Sequence, residues 1–193
     1  MSNGARWVLS VSKKAKAEGR TVVFVDEAGF YLLPAVVRTY APSGQTPILK
    51  TPCRYGHLSV ISAITPDGRL FTSTQTKAFD GTSIVRFLKH LLNHIDGKLL
   101  LIWDGLPAHR SRPVKAFLTA GAAKRLHLER LPAYAPDLNP DEGVWNYLKH
   151  VELANVCCHK LDDLQLQLRK AIVRLRCKPH IIRSFFLAAG VHF

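Results

Sequence analysis

Hydrophobic positions along the chain repeat with two periods, and the switches between them outline the elements. Residues 5–18 have weak helical spacing with many lysines between the apolar positions. Residues 21–26 (TVVFVD) form a short β-branched apolar run, which predicts a buried strand ending on an acid. Residues 36–40 predict a further strand, and Pro42, Gly44 and Pro47 then mark a loop. HLSVISAI (57–64) and RLFTSTQT (69–76) alternate with period two on either side of TPDG (65–68), so they predict a hairpin. Over residues 80–95 the period lengthens. Ile84, Phe87, Leu88, Leu91 and Leu92 share one helical face, Asp80 or Thr82 is placed to cap its start, and Gly97 ends it.

Residues 98–103 (KLLLIW) predict a second buried strand, again running into an acid, Asp104. A short helix follows over 113–119, a strand over 127–131, a proline-rich loop over 131–140, and a helix from about 141 to 151. Leu161, Leu164, Leu168, Ile172 and Leu175 line one face of a helix over 160–176; Pro179 breaks it, and a last short helix covers 181–189. Elements in this order predict an α/β fold, a mixed sheet flanked by helices. The expected division is a basic linker or helix remnant over 1–20, a main domain over 21–155, and a helical segment over 156–193 packed on it.

Composition narrows the class. At 193 residues and 47% hydrophobic, the chain can bury a core of its own. No apolar run approaches the roughly 20 residues that span a bilayer. Charged residues directly follow the short apolar stretch at the N-terminus, unlike a signal peptide. A soluble, cytoplasmic protein with no membrane partner is expected. Lys and Arg outnumber Asp and Glu by 27 to 14, giving a net charge of +13. That excess suits a polyanion, and for a soluble chain this points to nucleic acid. The four cysteines include no C-x-x-C pair, so reduced, mostly buried thiols are expected rather than a metal or redox motif.

The candidate chemistry lies in the acids. Two apolar strands each deliver an aspartate at the carboxyl end, Asp26 and Asp104. If they are neighbours in one sheet, both carboxylates reach the same edge, where open α/β folds place their ligands. Glu142 sits just after Pro140 in the first turn of a predicted helix, and with Asp141 beside it either acid can be the helix-start residue. Three carboxylates form a hard-oxygen site suited to Mg²⁺ or Mn²⁺. Two such ions can activate a water or a 3′-hydroxyl and stabilise the leaving oxygen of a phosphodiester. Taken alone, each acid also has a structural reading as a loop, capping or helix-dipole residue.

The surrounding motifs decide between these readings. VFVDEAGF around Asp26, LIWDGLPAHRS around Asp104, LPAYAPDLNPDEGVWNYLK around Glu142, and RTYAPSGQTP before the hairpin occur in this order. Together they resemble the catalytic domain of the mariner superfamily of DDE transposases, in its bacterial insertion-sequence branch. The resemblance implies an RNase H-like fold, two Mg²⁺ or Mn²⁺ ions, cleavage at transposon ends, and strand transfer into target DNA. It implies a homodimer in the active complex and a nucleoid-associated location. By motif position Asp26, Asp104 and Glu142 match the catalytic, metal-binding acids; N-P-x-E selects Glu142 over Asp141. His109 matches a histidine five residues past the second Asp, in a phosphate-contacting or positioning role. With Arg110, Arg112, Lys13, Lys14 and Lys149 it makes up the candidate DNA-binding set. Tyr134 and Trp145 flank the third acid, as core residues or as platforms for unpaired bases.

Three positions depart from the family pattern. Gly105 replaces the usual Asn, Ala135 the usual Ser, and Asp141 the usual apolar residue. A complete enzyme of this kind carries helix-turn-helix modules ahead of the catalytic domain, so the expectation is the catalytic half of a longer or split transposase. The alternatives are an RNase H-like nuclease that hydrolyses without joining strands, and an inactive DNA-binding or dimerisation remnant.

Overall fold

Strand β1, Arg20–Tyr31, organises the molecule by pairing differently along its two halves. Its first half runs parallel to β4 (Lys98–Trp103), from Arg20↔Lys98 to Phe24↔Ile102. Its second half runs antiparallel to β2 (His57–Ile64), from Phe24↔Ile64 to Tyr31↔His57. With β3 (Leu70–Gln75) beyond β2 and β5 (Leu126–Arg130) beyond β4, the five-stranded order is β3-β2-β1-β4-β5. The computed structural model describes residues 3–50, 56–132 and 135–191.

Strand alternation divides the apolar residues between two cores. Val22, Phe24, Val60, Ile64, Leu100 and Ile102 face one side. There they meet α1 (Asn3–Ala17), α4 (Asp141–Tyr147), α5 (Leu161–Arg176) and α6 (Pro179–Ala188) through residues such as Val11, Val144, Leu168 and Phe186. Val23, Val25, Ile61, Leu99, Leu101 and Trp103 face the other side. They pack on α2 (Gly81–His94) and α3 (Arg112–Thr119) through Ile84, Leu88, Leu91 and Val114. A strand buried on both faces needs a continuous apolar run, and KLLLIW supplies it. Each buried Leu, Ile or Val contributes roughly 1.5–3 kcal/mol. Asp80 caps α2 by accepting from the Ser83 amide at 2.7 Å, while Ser83 Oγ accepts from the Asp80 amide at 2.8 Å.

Several expectations are corrected. β1 does not end on Asp26 but continues to Tyr31, because β2 keeps pairing after β4 has stopped. Residues 36–40 form no strand: among the described residues no neighbouring strand offers a ladder. Instead the segment is tethered by an Ala35↔Ala154 bridge and by the Asn155 side chain, which accepts from Val37 N at 2.9 Å and donates to Val37 O at 3.0 Å. The helix after Pro140 is α-helical only to Tyr147. It then widens over Leu148–Glu152, closed by Leu153 N to Leu148 O at 3.0 Å. Pro179 opens α6 as its first residue, where its missing N–H costs nothing. Of the cysteines, Cys158 is buried, Cys157 half-buried and Cys177 exposed at the end of α5; Cys53 lies outside the described residues. No described helix is long and apolar enough to cross a membrane.

Candidate active site

Asp26 and Asp104 each stand two residues past the last parallel pair, Phe24↔Ile102, and so lie at one level where β1 and β4 part. Alternation turns Asp26 toward the face of Val22 and Phe24, the side covered by α4. There its Oδ2 accepts from Asn139 Nδ2 and from Trp145 Nε1, both at 3.0 Å. Trp145 is 4% exposed and packs edge-on against Phe30. It is thus a core residue whose one polar atom is spent on Asp26. The Asn and Trp of L-N-P-x-E-x-x-W therefore hold Asp26.

Glu142 sits in the first turn of α4 with its side chain exposed and its amide bonded to Asn139 O at 3.1 Å. Asp141, one step before it on the helix, turns into the core. It is fully buried, and its Oδ1 accepts from Ser62 Oγ at 2.5 Å. Ser62 is the β2 partner of Asp26, so the two acids are near neighbours. The other oxygen of Asp141 has no hydrogen-bond partner among the described residues.

The opposite face serves Asp104. Trp103 points there and stacks on His109, ring centroids 4.1 Å apart and planes 5° from parallel. From that position His109 Nδ1 reaches Asp104 Oδ1 at 2.9 Å, and Nε2 reaches Glu27 Oε1 at 3.1 Å. Glu27 follows Asp26 on the strand and so points to the other face. Leu106 N also donates to Asp104 Oδ1, at 3.0 Å. Sequence reasoning missed Glu27, yet the period of two that buries Asp26 on one face presents Glu27 on the other.

The electrostatics follow from these partners. Burial pushes Asp26 up to about 6; the Trp145 hydrogen bond opposes this, and the charges of Glu142 and Asp104 add to it. Burial, then the charge of Asp26, raises Asp141 well above the usual carboxylate range. Burial alone would neutralise His109, but hydrogen bonds to Asp104 and Glu27 outweigh it and hold the imidazolium up to about 9. Burial also opposes the charge of Asp104, yet its bonds to His109 and Leu106 N keep it below its ordinary value.

In donor chemistry the three acids suit a divalent cation. All are hard oxygen ligands, and the charges of Glu142 and Asp104 add to the burial that raises Asp26. As the side chains lie, no three His, Cys, Asp or Glu residues among the described residues are placed to hold an ion between them.

The candidate DNA-binding residues are scattered. His109 is 3% exposed and offers no surface to a phosphate, which leaves it the positioning role. Lys14 is drawn to Glu129 at 2.9 Å and His127 at 2.7 Å, tying α1 to β5. Lys13 is exposed, as is Arg112 at the start of α3. Lys149 lies over the Phe30 ring, 5.3 Å from its centroid. Arg110 donates to Gly105 O at 3.2 Å, beside Asp104. Tyr134 lies outside the described residues.

Residues 21–165 match the family model of the DDE superfamily endonucleases. The chain belongs to this family. Its fold is also that of solved transposase structures. A Mos1 strand transfer complex aligns with a TM-score of 0.65 at 18% identity, over 99% of this chain and 61% of the Mos1 chain. The catalytic domain of Mos1 mariner transposase aligns with a TM-score of 0.57 at 14% identity, over 100% of this chain and 97% of that domain. A Mos1 mariner paired end complex with Mn gives 0.65 at 16% identity, over 99% of this chain and 61% of that one. The DDE chain described here thus spans about three-fifths of the Mos1 chain in those complexes, and the sheet is RNase H-like, as the resemblance implied. No curated protein matches it in sequence.

Proposed function

We propose that this chain is the catalytic domain of a DNA transposase, cleaving phosphodiesters at transposon ends and joining them to target DNA. Asp26, Asp104 and Glu142 hold two Mg²⁺ or Mn²⁺ ions in this reading. When bound, the ions activate the attacking oxygen and stabilise the leaving one. What supports the proposal is that β1 and β4 bring Asp26 and Asp104 to one level where the sheet parts, with Glu142, in the first turn of α4, near enough for its charge to act on Asp26. Solved Mos1 complexes with Mg and with Mn favour the same cofactors.

The chain's own residues prepare the site. Asn139 and Trp145 fix one oxygen of Asp26. His109 and the Leu106 amide fix Asp104. The net charge of +13 attracts the DNA backbone without reading sequence, so affinity should fall steeply with salt. A paired end complex holds two ends, which suits one catalytic domain at each, and we take the active unit as a homodimer.

The competing reading, an inactive DNA-binding remnant, is favoured by the absence of three ligands already placed for an ion among the described residues. One experiment decides. Asp26→Asn, Asp104→Asn and Glu142→Gln are assayed for cleavage of supercoiled plasmid in Mg²⁺ or Mn²⁺, with a chelator blank. Each should lose about a thousand-fold or more, with DNA binding and fold retained. Variants that match an active wild type would overturn the DDE assignment, and an inactive wild type would favour the remnant.

A further inference from the structure

Gly105, immediately after Asp104, is where two arginines meet. Its φ lies outside the left-handed region, so the backbone there accepts any residue. What glycine supplies is room. A Cβ on Gly105 would stand 2.3 Å from Arg130 Nη2, 2.4 Å from Nε and 2.5 Å from Cζ. The Arg130 guanidinium therefore lies flat against the glycine. Arg130 ends β5 and pairs with Trp103, which brings its side chain to the edge that carries Asp104. On the other side of the same residue, Arg110 Nη2 donates to Gly105 O at 3.2 Å.

The two guanidiniums differ in what they leave open. Arg110 uses one donor on the carbonyl. Arg130 is exposed, and its N–H groups find no hydrogen-bond or ion-pair partner among the described residues. Asp104 feels its charge without bonding to it. A cation serving only to neutralise Asp104 would close on the carboxylate, as His109 does at 2.9 Å. Arg130 instead rests on a peptide with its donor fork unspent, the state of a group waiting for an anion. Planar forks of this kind suit phosphate, which they bind through two parallel hydrogen bonds.

We propose that Arg130 and Arg110, seated on Gly105, form a clamp for one backbone phosphate of the DNA strand beside the scissile bond. This deepens the transposase reading and rests on it. The clamp gives the Gly at position 105 a purpose: the asparagine usual in the family would occupy the volume the guanidinium fills. It also places two positive charges beside Asp104, where the strand must enter despite the repulsion of the acids.

The test uses the 193-residue chain and a 20-base-pair DNA duplex of arbitrary sequence, with binding measured in chelator across a salt series. Arg130→Ala should weaken binding about ten-fold, and the salt slope should fall by about one. Arg130→Lys should recover the slope but not the affinity, because a point charge replaces the fork. Gly105→Ala changes no charge, yet by displacing Arg130 it should weaken binding about three-fold. Arg183→Ala, an exposed charge on α6, is the control and should lose less than about two-fold. Thermal midpoints confirm that each variant is folded. Binding by Arg130→Ala and Gly105→Ala that matches the Arg183→Ala control would overturn the clamp. Plasmid cleavage by the same proteins separates the two claims. An active wild type with unaffected clamp variants sinks the clamp alone. An inactive wild type that shows the predicted binding pattern sinks the transposase reading and leaves a phosphate clamp standing.

Discussion

Asp26 and Asp104 occupy matching levels on adjacent parallel strands, yet the protein holds them by opposite means. Neutral donors from Asn139 and Trp145 grip Asp26, and burial raises it to about 6. A buried imidazolium grips Asp104 and keeps it ionised. The difference begins in strand alternation, which turns Asp26 to the α4 face and Glu27 to the His109 face. One acid is therefore held ionised by its partners, while the other becomes charged against the cost of its burial. Asp104 is thus the fixed anchor of the pair, and Asp26 is the acid whose charge answers to its surroundings.

The largest test of this contrast removes the anchor's partner. His109→Gln keeps a polar side chain but no titratable cation. The folded His109 value, about 9, lies above the ordinary histidine value of 6.5. Its stabilisation is therefore fully present below pH 6.5 and is lost as pH rises through 9. Allowing for solvent at the partly exposed Asp104, the pH-dependent part should be about 2 kcal/mol. Urea unfolding of wild type and variant should show a gap that is widest near pH 6 and narrows by pH 10. A gap that stays constant across that range would mean His109 only fills space.

How legible this was in the sequence varied with how local the cause is. β2 and β4 are recovered to the residue, because alternation and a continuous apolar run are local signals. The cap at Asp80 is equally local. The extension of β1 through Tyr31 was not legible, since it depends on β2 continuing to pair far along the chain. The strand expected over 36–40 failed for the converse reason: its residues suit a ladder that the sheet does not provide. In the site, family motifs marked the three acids, but the hydrogen bond from Trp145 was hidden. An indole in a helix reads as core whether or not its N–H has a purpose.

That indole gives the second test. Trp145→Phe keeps most of the apolar contact with Phe30 and deletes one donor to Asp26. The loss should cost about 1 kcal/mol of stability. Because the bond favours the carboxylate, its removal should move Asp26 further above 6, as read by carboxyl-carbon NMR of the metal-free protein. Asp104, held by His109 and the Leu106 amide rather than by Trp145, should shift far less. Equal movement of both acids would show that the two halves are coupled rather than separately held.

The smallest expected effect on catalysis concerns the acid next to Glu142. One step along a helix turns a side chain by about 100°, and here that step takes Asp141 from the cleft into the core beside Ser62. With one oxygen lacking a partner among the described residues, and with burial and Asp26 opposing its charge, Asp141 favours the neutral acid. Asp141→Asn replaces that neutral acid with a neutral amide, so plasmid cleavage should stay within about three-fold of wild type. The sign of the stability change depends on pH. A carboxyl whose folded value is raised stabilises the fold at low pH and loses that contribution as pH climbs through the raised value. The Asn variant has no such loss. It should be slightly less stable than wild type at pH 4–5, where the amide's N–H group is left without a partner, and the more stable of the two at high pH. Urea unfolding at both ends of the range measures the crossing. If Asp141→Asn were dead and Glu142→Gln active, the third ligand would be the buried acid, and α4 would have to rotate to present it.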